Sequence, residues 1–154
     1  MDVIIVGAGP TGVTLGAVLA RRGHRVVAVD RDPGPVGDGP WRRRGVMPFA
    51  HPHGFRPQVR NLLLAEWPAA WQAWLDLGAE PFELPGPGPA GPTVGVRSRR
   101  STYERALRLA AADVDGLTLA VGSVGGVVEH GHRVVGAVVD GVTVEADLVV
   151  DAGG

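Results

Sequence analysis

The chain opens on a short apolar run, Val3-Ile4-Ile5-Val6, that turns at once into glycine. A continuous apolar run of this length bounded by turn residues is the mark of a buried strand, so 2–6 is read as strand. Over 11–22 the pattern changes to helical spacing, with Leu15, Val18 and Leu19 as its apolar positions and Gly23 placed to end it. A second apolar run, Arg25-Val26-Val27-Ala28-Val29, closes on Asp30 and is read as a parallel strand reached by a right-handed crossover. From Asp32 to about Phe55 the pattern dissolves into Gly, Pro and the basic cluster Arg42-Arg43-Arg44. That is too long for a plain connection and points to a functional loop.

Apolar positions return at helical spacing from Arg56 to about Gly78, and Pro68 divides them, so two helical pieces or a kink are expected. Trp67, Trp71 and Trp74 fall on one face of that segment. Core packing explains them better than a stacking platform for a bound ligand. The run Pro85-Gly86-Pro87-Gly88-Pro89-Ala90-Gly91-Pro92 is read as a stiff linker, neither helix nor central strand. Residues 102–114 read as helix. Short strand signals follow at 117–121, 124–130, 133–139, 142–146 and 147–151, with Asp140-Gly141 as a hairpin turn.

The order strand, helix, strand, helical connection, helix, strand, meander, strand is that of an α/β domain. The chemistry sits at its first turn. Gly7-Ala8-Gly9-Pro10-Thr11-Gly12 is Gly-x-Gly-x-x-Gly between a strand and a helix. This spacing gives a tight turn, lets backbone approach a pyrophosphate, and allows close helix packing with amide N–H groups aimed at phosphate. Asp30 lies 18 residues past Gly12, near the offset of about 20 expected for an acid that binds a ribose hydroxyl. The same spacing would also serve a tight turn that binds nothing, with Asp30 as a strand-end cap.

Composition narrows the picture. The 154 residues suffice for one domain with a real core, and 45% are hydrophobic with a net charge of −1, which does not favour nucleic acid as a partner. All 15 basic residues are Arg, a composition bias rather than a function. Without cysteine, disulfides, thiolate catalysis and Cys-ligated metals are excluded. His51 and His53 make a poor metal site without a third ligand, and His130 and His132 flank a turn. The first strand begins too early for a signal peptide, and no apolar run reaches the ~18–20 residues of a membrane span. A cytoplasmic protein is the expectation.

Four segments resemble a known family. They are Gly7 to Gly12 with Asp30-Arg31; Arg44-Gly45-Val46 running into His51-Pro52-His53-Gly54; Arg100-Ser101-Thr102-Tyr103-Glu104-Arg105-Ala106-Leu107; and Ala146-Asp147-Leu148-Val149-Val150-Asp151-Ala152-Gly153-Gly154. Together they resemble the N-terminal part of FAD-dependent oxidoreductases of the glutathione-reductase-like fold. The nearest likeness is to aromatic-hydroxylase type flavin monooxygenases and related halogenases. The chain departs from that pattern where Asp30 replaces the commoner Glu, at Met47-Pro48-Phe49, and at Gly153 in place of Thr or Ser.

The resemblance implies a Rossmann-like FAD/NAD(P)-binding domain with a parallel sheet and an inserted β-meander. Residues 1–154 would supply the ADP half of the cofactor site, with a loop and helical insertion at about 32–92, and the substrate domain would lie outside the chain. It carries cofactor contact to Gly7, Gly9, Pro10, Thr11, Gly12, Asp30, Arg31, Arg44, Arg100, Val124 and Asp151. The cofactor would be FAD, with NAD(P)H as reductant, O2 as co-substrate and a small organic molecule as substrate. Whether these residues turn over alone stays open. One alternative is a truncated or split dinucleotide-binding fragment whose fold a second chain completes. Another is a compact NAD-dependent dehydrogenase, against which stand the lack of Lys and the single Tyr.

Overall fold

The computed structural model describes residues 1–37, 39–85 and 93–153. They divide into two units, Met1–Pro33 with Ala111–Gly154, and Gly34–Ala110.

The first unit is built on four parallel strands. The chain runs through β1 (Asp2–Val6), α1 (Pro10–Arg21) and β2 (Arg25–Asp30), and returns after the second unit. The second unit holds β3 (Pro52–Phe55), α2 (Pro57–Glu66), α3 (Pro68–Asp76), β4 (Glu80–Leu84), β5 (Thr93–Arg99) and α4 (Arg100–Ala111). Then come β6 (Leu117–Val121), β7 (Val124–His130), β8 (Arg133–Val139), β9 (Val142–Glu145) and β10 (Leu148–Asp151). The parallel sheet has the order β10-β1-β2-β6, and β7-β8-β9 form an antiparallel meander. Val3, Ile4, Ile5, Val26, Ala28 and Val29 of the two central strands are buried. Burial on both faces is why these strands read as unbroken apolar runs rather than as an alternation.

Each face has its own cover. On one, α1 presents Gly12, Val13, Gly16, Ala17 and Ala20, a buried stripe of small residues. The larger Leu15, Val18 and Leu19 are only half-buried. Close approach explains the shift, since a Cβ on Gly16 would stand 2.9 Å from the Leu117 side chain. On the other face, Ile4, Val29 and Ala137 form a core that Val27, Ala120, Val124, Val139, Ala146 and Val149 extend, so the meander seals the sheet. The hairpin between β8 and β9 turns through Asp140 (φ 49°) and Gly141 (φ 81°), the pair of positive φ values of a type I′ turn.

At the start of the sheet, Arg25 donates to the Asp2 carboxylate, its partner in register. This hydrogen bond holds the Asp2 carboxyl below the usual carboxylate range. A lowered folded pKa adds stability above the unfolded value, about 3.9, and loses it as pH falls through the folded one. The Tm difference between the protein and Asp2→Asn is therefore expected at neutral pH and to shrink as pH falls through the carboxylate range. A difference independent of pH would contradict the pairing.

In the second unit, α2 and α3 meet at Trp67-Pro68, where Pro68 opens the new helix, as the sequence anticipates. Trp67 and Trp74 are fully buried. Trp74 donates Nε1–H to Ser98 Oγ at 2.9 Å and meets the Phe55 ring edge-to-face at 4.8 Å. Tyr103 joins this cluster, 4.5 Å from the Trp74 ring. The tryptophan face is core, as expected, with Trp71 half-buried under the Arg60 guanidinium. The order β3-β5-β4 makes an antiparallel sheet that the apolar pattern does not announce. β3 lies inside the segment read as loop. The Gly/Pro linker reading falls on 86–92, outside the described residues, and the strands flanking it pair from Leu84↔Thr93 to Glu80↔Arg97.

Candidate dinucleotide site

In a parallel sheet all strands end on the same side, and a ligand crevice forms where neighbouring connections leave in opposite directions. Here that point is the end of β1, whose neighbours are β2 and β10. The register sets Val6 level with Val29 on one side and with Asp151 on the other, and Asp30 level with Val121. Four connections gather at this edge: 7–12, Asp30–Asp32, 122–124 and 151–153.

The three glycines of the first connection do different things. Gly7 has φ +93°, closed to most side chains, and a Cβ there would stand 2.9 Å from the Ala152 carbonyl oxygen. Its N–H donates to Val29 O at 2.7 Å. A Cβ on Gly12 would fall onto the Gly7 carbonyl oxygen and press on Ile5. These two glycines are required by the fold itself. Gly9, in contrast, has φ −75° and ψ −175°, extended backbone open to any residue, so its own conformation does not demand glycine.

Gly9 is the N-cap of α1 and accepts from Val13 N–H at 2.9 Å. Pro10 fills the first helical position, where its missing N–H is no loss. Thr11 is exposed and Gly12 buried. The helix start has no side-chain cap hydrogen bond, and its first turn holds no acidic residue. First-turn N–H groups lack intrahelical acceptors, and the helix dipole favours an anion there.

Asp30 braces this loop. Its Oδ2 accepts from Ala8 N–H at 2.8 Å, and its Oδ1 from Asp32 N–H at 2.9 Å. An ionised carboxylate has about four acceptor sites, so the oxygens that hold the loop can also take hydroxyls. Arg31 beside it is exposed. On the other flank, Asp151 Oδ1 accepts from Gly153 N–H at 2.9 Å and shapes its own turn. The Val124 side chain packs into the apolar layer. The 122–124 turn is fixed by Asp140, whose Oδ1 accepts from Ser123 N–H at 2.8 Å. The sequence shows Asp140 only as a turn residue; its grip on Ser123 depends on a contact 17 positions away.

Two candidates, Arg44 and Arg100, belong to the second unit. Arg44 is an exposed turn residue. Its neighbour Arg43 is the buried member of the basic cluster, with Nη1 2.8 Å from Glu104 Oε2 and side chains 9% and 2% exposed. Arg100 Nε donates to the other oxygen, Glu104 Oε1, at 2.8 Å. Glu104 thus bridges two arginines from α4, and Arg105 reaches the carbonyls of Gly37 and Gly39 at 2.6 Å each. The segment before β3 is pinned by these bonds. The Arg100–Glu104 spacing of four is legible in the sequence, whereas the Arg43 partner lies 61 residues away.

Comparison with known proteins agrees with this geometry. Residues 1–47 match the family described as FAD binding domain. A D-amino acid dehydrogenase of Sinorhizobium medicae is 41% identical over 51 residues, 33% of this chain and 12% of its own length. The Diels-Alderase PyrE3 of pyrroindomycin biosynthesis matches 99% of the chain with 32% of its own, at TM-score 0.73 and 20% identity. PqsL of Pseudomonas aeruginosa, titled "a probable FAD-dependent monooxygenase", matches 97% of the chain with 41% of its own, at TM-score 0.71 and 18% identity. The chain therefore spans about an eighth of that dehydrogenase and about a third of PyrE3. No helix among the described residues is long and apolar enough to cross a membrane. The chain thus carries an N-terminal segment that matches an FAD binding domain, on an α/β fold that it shares with PyrE3 and PqsL.

Proposed function

We propose that the first unit binds the ADP half of FAD across the carboxyl ends of β1, β2 and β10. The Thr11 and Gly12 amides would take the pyrophosphate, Gly9 would let it approach, and Asp30 would accept a ribose hydroxyl. Gly9 carries the argument. It is a glycine in a conformation open to any residue, at the uncapped start of a helix, within the segment that matches an FAD-binding family. Bound FAD would supply the redox chemistry, and the protein groups here bind and orient it. Arg31, Arg44, Arg100, Val124 and Asp151 are assigned to the cofactor by the resemblance, and their variants test that assignment.

For the whole flavoprotein we propose a monooxygenase-type oxidation of a small organic substrate, with NAD(P)H as reductant. The likeness to PqsL supports this class. The chain's residues would act as one part of that enzyme.

Ligand-dependent stability tests the cofactor. A ligand that binds only the folded state raises stability by RT ln(1 + [L]/Kd). FAD and ADP are expected to raise Tm, and NAD to do so less than FAD. Stabilisation by NAD alone would favour the dehydrogenase reading. Asp30→Ala is expected to weaken FAD and ADP equally, by about 1–3 kcal/mol, because the adenosine ribose is common to both. An unchanged Kd by isothermal titration would remove Asp30 from the site.

A further inference from the structure

Of the four connections at the carboxyl edge, the one at 122–124 is held by a residue from outside the parallel sheet. Asp140, at the tip of the β8–β9 hairpin, clasps Ser123 on both sides. Its Oδ1 accepts from Ser123 N–H at 2.8 Å, and its own N–H donates to Ser123 O at 2.9 Å. Its Oδ2 lies over Gly122, where a Cβ would stand 2.8 Å from that oxygen and 3.2 Å from the Val139 side chain. Gly122 is not one of the glycines with positive φ. The space taken by Asp140 and Val139, rather than the backbone, is what keeps a side chain out.

Neither turn formation nor stability explains this clasp. Gly-Gly and Asn-Gly make the same type I′ turn as Asp-Gly, so the hairpin does not need a carboxylate. Ser123 and Asp140 are both exposed, where water would satisfy the same N–H, and the exchange adds little net stability. What the clasp fixes is the position of the turn.

That position bears on a ligand. Val121 is level with Asp30, and Gly122 N–H donates to Asp30 O at 2.9 Å. The turn thus begins directly beside the acid that braces Ala8. β1, β2 and β6 are successive strands of the sheet, about 4.8 Å apart. With diphosphate at the end of β1 and ribose at the end of β2, the nucleotide runs on toward the end of β6.

We infer that Asp140 is a positioning residue for the nucleotide. Its carboxylate sets the 122–124 turn against the bound ADP moiety and does not touch the ligand itself. This rests on the dinucleotide reading above.

Two variants of the full chain separate position from turn and charge. Asp140→Gly suits the φ of 49° and removes only the carboxylate, whereas Asp140→Asn keeps both the φ and an Oδ1 acceptor. By isothermal titration Asp140→Gly is expected to bind ADP about three- to tenfold more weakly, with Tm moved by no more than a few degrees. Asp140→Asn is expected to stay within about twofold of the parent. Hydrogen exchange of the Ser123 amide should quicken in the first variant and not in the second. Unchanged ADP affinity in Asp140→Gly, a loss that only follows its Tm, or an equal loss in Asp140→Asn overturns the inference. A further measurement needs no variant: ADP is expected to shift the Ser123 and Val124 amides of the parent chain. Unmoved amides there, while residues 7–13 respond, overturn this inference and leave the dinucleotide reading standing. If residues 7–13 are also unmoved, both fall.

Discussion

Gly9→Val is expected to lose at least about a hundredfold in FAD affinity, the equivalent of ~2.7 kcal/mol, while Tm moves by no more than a few degrees. The expectation follows from the division of labour among the three glycines. Valine accepts the extended backbone that Gly9 adopts, so the elbow between β1 and α1 can form around it. Its branched side chain would then stand where the pyrophosphate must reach the first helical turn. Gly12→Ala provides the contrast. Its Cβ falls onto the Gly7 carbonyl oxygen, so that variant is expected to lose stability first and binding as a consequence. Equilibrium dialysis with FAD, alongside thermal unfolding, separates the two. Retained affinity in folded Gly9→Val would move the pyrophosphate elsewhere.

Glu104→Gln is expected to destabilise the protein by about 3 kcal/mol, or roughly 10 °C in Tm. Both carboxylate oxygens are engaged, one by Arg43 and one by Arg100, and the side chain is 2% exposed. Glutamine has nearly the same shape but only one acceptor oxygen, and its NH2 would face a guanidinium. Removing one member of a buried ion network leaves uncompensated charge, which is the larger part of the loss. Arg43→Leu/Glu104→Leu is accordingly expected to lose less than the sum of the two single changes. Urea unfolding of the four proteins measures this. Additive losses would show that Arg43 and Glu104 do not act as a pair.

The sequence discloses the first unit far better than the second, for a physical reason. Val3–Val6 and Arg25–Asp30 are locally consistent: apolar runs, ended by glycine or acid, around a helix with Pro at its first position. Asp140-Gly141 specifies its own turn, and the meander follows in sequence order. β3 has no such local signature. Pro52-His53-Gly54-Phe55 is strand only because β5, more than 40 residues on, offers it a ladder. Proline-bearing β4 is drawn in by β5 in the same way.

The same divide runs through the candidate site. Gly7, Gly12 and Asp30 are legible because their tasks are performed within a strand–helix–strand unit. Arg43 is not, since one arginine in a run of three is chosen only by the position of Glu104. The sequence favours Arg44 in that cluster, and the structure gives Arg43 the buried partner. α1 shows a finer limit. Helical spacing identifies the helix, but the buried stripe is Gly12, Gly16, Ala17 and Ala20, because close packing on the sheet rewards small residues over large apolar ones.

The central claim is that backbone amides at the end of β1 hold a diphosphate. Amide-resolved titration of the folded protein with FAD, and with ADP, tests it most directly. Gly7 to Val13, apart from Pro10, are predicted to move in both titrations, with Asp30 and Arg31 following. Unmoved resonances there, in protein whose remaining spectrum shows native dispersion, would contradict the account.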